Sequence, residues 1–123
     1  MPVIKVWCLP DITEEKLREL HHGIVKATES VEALRLNGEQ SMTVLFPEDK
    51  MKYGLGTDII VEVGWLFVKP ERTLDVRREL VRNLYRIVKK FFPNAKVECG
   101  EESLDREKQG FWSSEEDEAF ENS

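Results

Sequence analysis

Pro10-Asp11-Ile12-Thr13, followed by Arg18-Glu19-Leu20 and Ile24, recurs sixty positions later as Pro70-Glu71-Arg72-Thr73, Arg78-Glu79-Leu80 and Leu84. A Pro-acidic break, a threonine and the same helical face in one register describe an internal duplication. Two copies make a pseudo-two-fold domain, because a solenoid needs at least three stacked repeats. Working outward, each copy is preceded by a β-favouring run, Val3 to Leu9 and Ile59 to Val68, and followed by a helical pattern. In the first, Leu17, Leu20, Ile24, Ala27 and Val31 line one face, and Asp11 with Glu14 has capping-box spacing. In the second, Thr73 caps a helix carrying Leu80, Leu84, Ile87, Val88 and Phe91, which Pro93-Asn94 ends. Asn37-Gly38 turns the chain into a short strand, Met42 to Phe46, and Ala95 to Cys99 reads as a fourth.

Strand, helix, strand implies a right-handed crossover. The expected fold is α/β (α+β): a duplicated βαβ with a four-stranded mixed sheet and two helices on one face. Alternation puts part of the set Trp7, Trp65 and Phe67 on the helix-free face. A soluble monomer does not usually expose so large an apolar patch, so a closed oligomer is expected.

The 123 residues, 41% hydrophobic and 34% charged, fit one globular domain. The ten-residue run Ile59 to Val68 contains Glu62 and is half the length of a membrane span of about 20 residues. The first residues lack a signal-peptide pattern, and the cytoplasm is the expected compartment. Net charge is −6, with five acidic and no basic residues from Ser113 onward, leaving 19 acidic against 18 basic elsewhere. Such a body is a poor match for a phosphate backbone, so nucleic acid is not an expected partner. Arg77, Arg78, Arg82, Arg86, Lys89 and Lys90 read as the solvated face of a helix. Cys8 and Cys99 stand alone, and the adjacent His21 and His22 do not share a helical face, so no metal site or disulfide is implied. Gly54-Leu55-Gly56 lacks the third glycine of a dinucleotide loop, and no cofactor is expected.

Pro2 is the chemical candidate. If Met1 is removed, its nitrogen becomes a free secondary amine at the start of a buried strand. An α-amino group titrates near about 8, and an apolar wall draws that value toward neutrality. The plain alternative is that Pro2 merely begins a strand, where a missing N–H does no harm.

Pro2-Val3-Ile4-Lys5-Val6, the duplicated plan, and Phe46-Pro47-Glu48-Asp49-Lys50-Met51-Lys52-Tyr53-Gly54-Leu55-Gly56 resemble the tautomerase superfamily, which includes 4-oxalocrotonate tautomerase and macrophage migration inhibitory factor. The likeness covers about residues 2 to 112. It implies a tautomerase-like domain over 1–112, with βαβ units at 2–46 and 58–99 and a C-terminal anchor at 100–112. An acidic tail, 113–123, is expected to be disordered. The resemblance also implies a homotrimer with one active amine per subunit, since Glu62 stands where the second unit would carry a proline.

The activity implied is an isomerase: Pro2 acts as general base in keto-enol or double-bond isomerisation of a small carboxylated carbonyl compound. Arg72 and Lys69, on the loop after the third strand, would grip the carboxylate, and Tyr53 would line the pocket. Ile12 and Met42 occupy positions where 4-oxalocrotonate tautomerase has arginines, so a diacid substrate does not follow. Neither Thr28, Glu29 nor Ser30 supplies the lysine that migration inhibitory factor carries near the end of its first helix; Arg35, a few residues later, is the nearest cation that could stand in for it. Hydration, dehalogenation or decarboxylation with protonated Pro2 as acid is an alternative, as is a non-catalytic trimeric binding module. Glu101, Glu102 and Asp105 form an acidic cluster expected after the fourth strand. Phe111 and Trp112 are expected to dock on a neighbouring subunit or cap the pocket.

Overall fold

A computed structural model of the chain describes residues 1–50 and 58–123. Strand β1 (Val3–Trp7) leads to helix α1 (Glu14–Glu29), strand β2 (Thr43–Leu45), strand β3 (Asp58–Phe67), helix α2 (Leu74–Phe91), strand β4 (Lys96–Leu104) and helix α3 (Ser114–Glu121). The sheet runs β2-β1-β3-β4, parallel within each unit and antiparallel where β1 meets β3. This is the expected four-stranded mixed sheet, and α1 and α2 cover one face of it.

Ile4 and Val6 of β1 and Ile59, Val61 and Val63 of β3 point to the helices and are buried, as period-two alternation requires. Against them pack Leu20 and Ile24 from α1 and Leu80, Leu84 and Val88 from α2. Both helices start at the duplicated threonine: Thr13 accepts a hydrogen bond from the Lys16 amide at 3.1 Å, and Thr73 from the Val76 amide at 3.3 Å. Asp11 is therefore not the cap. The hydroxyl of Thr13 takes that place, and half-buried Ile12 packs against the core just ahead of the first turn.

The helices meet closely at Gly23. A Cβ there would lie 2.7 Å from Cγ1 and 2.9 Å from Cδ1 of Ile87. Gly23→Val is expected to separate α1 from α2 and lower stability by about 1–3 kcal/mol, read from denaturant midpoints. A variant as stable as the parent contradicts this account of the helix contact.

Three expectations are corrected. Strand β4 continues to Leu104, so Glu101 and Glu102 lie on it; after a bulge between Val63 and Leu66, β3 resumes pairing with Ser103 and Leu104 and draws β4 onward. The tail is not disordered. Ser113 caps α3 through the Glu116 amide at 3.3 Å, acidic residues fill its first turn where the helix dipole favours them, and Trp112 packs on Phe120 at 6.0 Å. Finally, the helix-free sheet face is mixed and not broadly apolar. Trp7 donates to Glu62 at 2.5 Å, Lys5 sits opposite Glu62, and Phe67 is covered by Phe111 of the same chain at 5.1 Å. Leu45 and Ile60 remain exposed there.

Candidate active site

Pro2 is buried at the end of the sheet where β1 begins and β3 ends. Its carbonyl accepts a hydrogen bond from the Thr43 amide at 2.9 Å, which carries the β1–β2 pairing back one residue and fixes the chain just before Val3. Met1 itself is exposed, so removing it would transfer the amine from an open position to a buried one.

Lys69 and Arg72 come from the turn between β3 and α2, closed by the Arg72 amide donating to the Lys69 carbonyl at 3.0 Å. Arg72 is not a surface-loop residue. It is 9% exposed, and its guanidinium donates to the carbonyls of Phe67 at 2.9 Å and Leu34 at 3.2 Å. Its Nε is buried with no hydrogen-bond partner, and no carboxylate pairs with its charge among the described residues. Its own carbonyl accepts from Nε of Arg77 at 3.3 Å, and Arg77 pairs with Glu101 at 2.8 Å, which anchors the turn to β4. In the first unit the matching positions, just before the cap and at the fourth helical residue, are Ile12 and Leu17, an apolar staple. The second unit has replaced that staple with two arginines.

The amino group of Met1, one residue before Pro2, has its pKa lowered from 8.0, first by desolvation and then by the positive charges of Arg72 and Lys69, which places both cations near the start of β1. The structure therefore brings Pro2, Arg72 and exposed Lys69 to one end of the sheet. Burial also lowers the pKa of Arg72, offset in part by Glu71.

Tyr53 lies outside the described residues, as does the Met51 to Gly56 part of the motif. Arg35 follows Leu34, whose carbonyl Arg72 holds, and adopts a left-handed conformation at φ 55°. Met42 is a core residue at 4% exposure, and Ile12 packs against the core, so neither position offers a polar group. Glu62 is mid-strand. His21 packs edge-on against Phe46 at 6.4 Å, while His22 is exposed. Burial raises the Cys99 thiol to about 12 and leaves it unreactive. Among the described residues no cluster of His, Cys, Asp and Glu is disposed to hold a metal, and no helix is long and apolar enough to cross a membrane.

Two features were not legible from the residues alone. The carbonyls of Leu34 and Phe67 that seat Arg72 have no sequence signature. The second is Trp65, held at φ 60° in the β3 bulge, a conformation costing about 1–3 kcal/mol for a bulky side chain. It lies just beyond the Val3–Gly64 pair, at Pro2's end of the sheet, and packs edge-on against Phe111 at 5.8 Å. Phe111 thus docks on its own chain, flanked by Arg106, whose guanidinium lies 5.1 Å from the ring. A cleft of about 310 Å³ opens beside them on the helix-free face, lined by Val3, Lys5, Glu62, Trp65, Glu102 and Gln109 among others.

No family model and no curated protein matches the chain. Solved structures do. Native fused 4-OT superposes with a TM-score of 0.66 at 16% identity, covering 89% of this chain and 91% of that one. A fused 4-OT symmetric trimer gives 0.65 at 14%, covering 89% and 90%. A member of the cis-3-chloroacrylic acid dehalogenase family gives 0.66 at 11%, covering 98% and 92%. With its duplicated βαβ units joined through β1 and β3, the chain has the fold of the long, two-unit form of the tautomerase superfamily.

Proposed function

We propose that the protein is a tautomerase-type isomerase of the cytoplasm. The amine of Pro2, freed by removal of Met1, abstracts a proton beside the carbonyl of a small carboxylated substrate and returns it at another atom. The observation that carries this reading is the buried guanidinium of Arg72, with its Nε unsatisfied and no carboxylate ion pair among the described residues, which with Lys69 lies close enough to the amino group of Met1 to lower its pKa. A fixed, desolvated cation beside a neutral amine suits an anionic substrate whose carbonyl oxygen gains charge in the transition state. Lys69 adds a second, mobile cation for the carboxylate. Tyr53 is assigned to the pocket wall. No cofactor enters the reaction.

A homotrimer is part of the proposal. Its supports are the exposed Leu45 and Ile60 on the helix-free face and the trimeric assembly of a fused 4-OT protein with this fold. A second reading, addition of water to a substituted acrylate with protonated Pro2 as acid, draws on the likeness to the dehalogenase-family structure over 98% of this chain.

The sign of the pH dependence follows. A base must be neutral, so kcat/KM falls as pH drops through the folded amine pKa and levels off above it. An α-amino group titrates at about 8 in an unfolded chain, so with the Pro2 amine depressed in the fold the unfolded state binds more protons between the two values, and stability is expected to rise with pH across that window. Lys69→Ala removes one of the charges that depress the amine. The midpoint of the kcat/KM profile on an enol such as phenylenolpyruvate is expected to move upward, toward 8.0, with stability changed by no more than about 0.5 kcal/mol. A midpoint that stays in place removes Lys69 from the site.

A further inference from the structure

We propose that the outer face of α2 is a docking surface for α3 of a second copy of this chain. Arg78, Arg82, Arg86 and Lys90 recur every fourth residue, so they form one stripe about 18 Å long on the helix. All four are exposed, and none has an ion-pair partner within 4.0 Å among the described residues. Asp75 and Glu79 sit at the N-terminal end of the helix. From Leu80 to Val97 there are five basic residues and no acidic one, so the positive charge is concentrated toward the C-terminus. The helix dipole accounts for Lys89 and Lys90 in the last turn, and Lys89 is bound to the Ala95 carbonyl. It does not account for Arg82 and Arg86. Exposed Leu74 and Tyr85 give the same surface some apolar area.

The complement lies in the same sequence. Helix α3 carries Glu115, Glu116, Asp117, Glu118 and Glu121 with no basic residue. Asp117, Glu118 and Glu121 fall on one side by helical spacing. Glu116 is spent on Arg106, and Asp117 accepts from Trp112 at 3.1 Å, but Glu115, Glu118 and Glu121 have no cation partner among the described residues. Beside them, Trp112 and Phe120 stack on each other while 61% and 69% exposed. An acidic aromatic helix and a basic stripe with Leu74 and Tyr85 are matched in charge and in apolar content. Among the described residues no ion pair joins the two within one chain: α3 is tied by Glu116 to Arg106, after β4. A second copy is therefore the occupant that fits both surfaces.

The test uses two full-length variants. Arg82→Glu/Arg86→Glu makes both surfaces acidic, and Glu118→Lys/Glu121→Lys makes both basic. By sedimentation velocity at about 0.05 M salt, each variant alone is expected to keep the trimer formed through the helix-free face but to associate beyond it at least about tenfold more weakly than the parent. An equimolar mixture is expected to recover the association, because each copy again meets the opposite charge on its neighbour. Raising salt to about 0.5 M is expected to weaken the parent and the mixture alike. A parent whose association beyond that trimer is absent or does not respond to salt, variants that associate as the parent does, or a mixture that fails to recover overturns the proposal. Binding of duplex DNA to the stripe at an affinity insensitive to the α3 substitutions also overturns it, by giving the face a different ligand.

Discussion

Pro2→Ala is expected to lower kcat/KM on phenylenolpyruvate by about 10² to 10⁴, the contribution of a positioned general acid–base group. Alanine also allows removal of Met1 and leaves an amine, so what is lost is the secondary amine and the ring that fixes its direction at the start of β1. Pro2 begins the strand without donating to the ladder, and the contact that holds it, Thr43 amide to residue 2 carbonyl, survives the substitution. Stability is therefore expected to stay within about 1 kcal/mol of the parent. A short N-terminal extension keeps Pro2 in place but removes its free nitrogen, and it should abolish the activity. Should both variants turn over substrate at the parent rate, the amine has no part in the reaction and a non-catalytic role for the fold becomes the better reading.

Arg72→Ala is expected to damage both stability and activity. Truncation leaves the Leu34 and Phe67 carbonyls without their donor in and beside the core. At about 1–3 kcal/mol for each of the two unsatisfied groups, a loss of about 2–6 kcal/mol follows, or about 10–20 °C in Tm for a chain of this size. It also removes a charge that depresses the amine, so the pH midpoint should rise. Activity should fall by about 10² to 10³ if the guanidinium faces developing charge. Arg72→Lys separates the roles: it keeps the charge near the amine but cannot span two carbonyls. It should lose about half as much stability and hold the pH midpoint. If Arg72→Ala costs stability while kcat/KM and the pH midpoint stay unchanged, Arg72 is a structural clamp between the units and nothing more.

The residues that were readable in the sequence are those whose signal is local. Thr73 announces its helix because a hydroxyl three residues ahead of an amide is a short-range device, whereas at the first helix the acidic Asp11 draws the expected cap away from Thr13, and the spacing of Leu80, Leu84 and Val88 states which side is buried. The sixty-residue register then supplies the pairing of two units. What was not readable depends on partners far along the chain. Nothing near Arg72 shows that a carbonyl 38 residues upstream will bury it. The bulge at Trp65 is invisible in an unbroken β-favouring run, yet it decides that Leu66 enters the core, that Trp65 turns out toward Phe111, and that β4 extends to Leu104. The acidic tail misleads because composition alone reads as solvated, whereas Ser113, Trp112 and Phe120 supply a cap and a contact.

Titration of the mature amino terminus tests the central claim most directly. Intact mass first shows whether residue 2 carries the free nitrogen, and NMR of ¹⁵N-proline-labelled protein then follows that nitrogen with pH. The account predicts loss of Met1 and a Pro2 pKa below 8.0 that rises in Lys69→Ala. Retained Met1, or a proline that titrates at or above 8.0, contradicts a desolvated base held neutral beside Arg72 and Lys69.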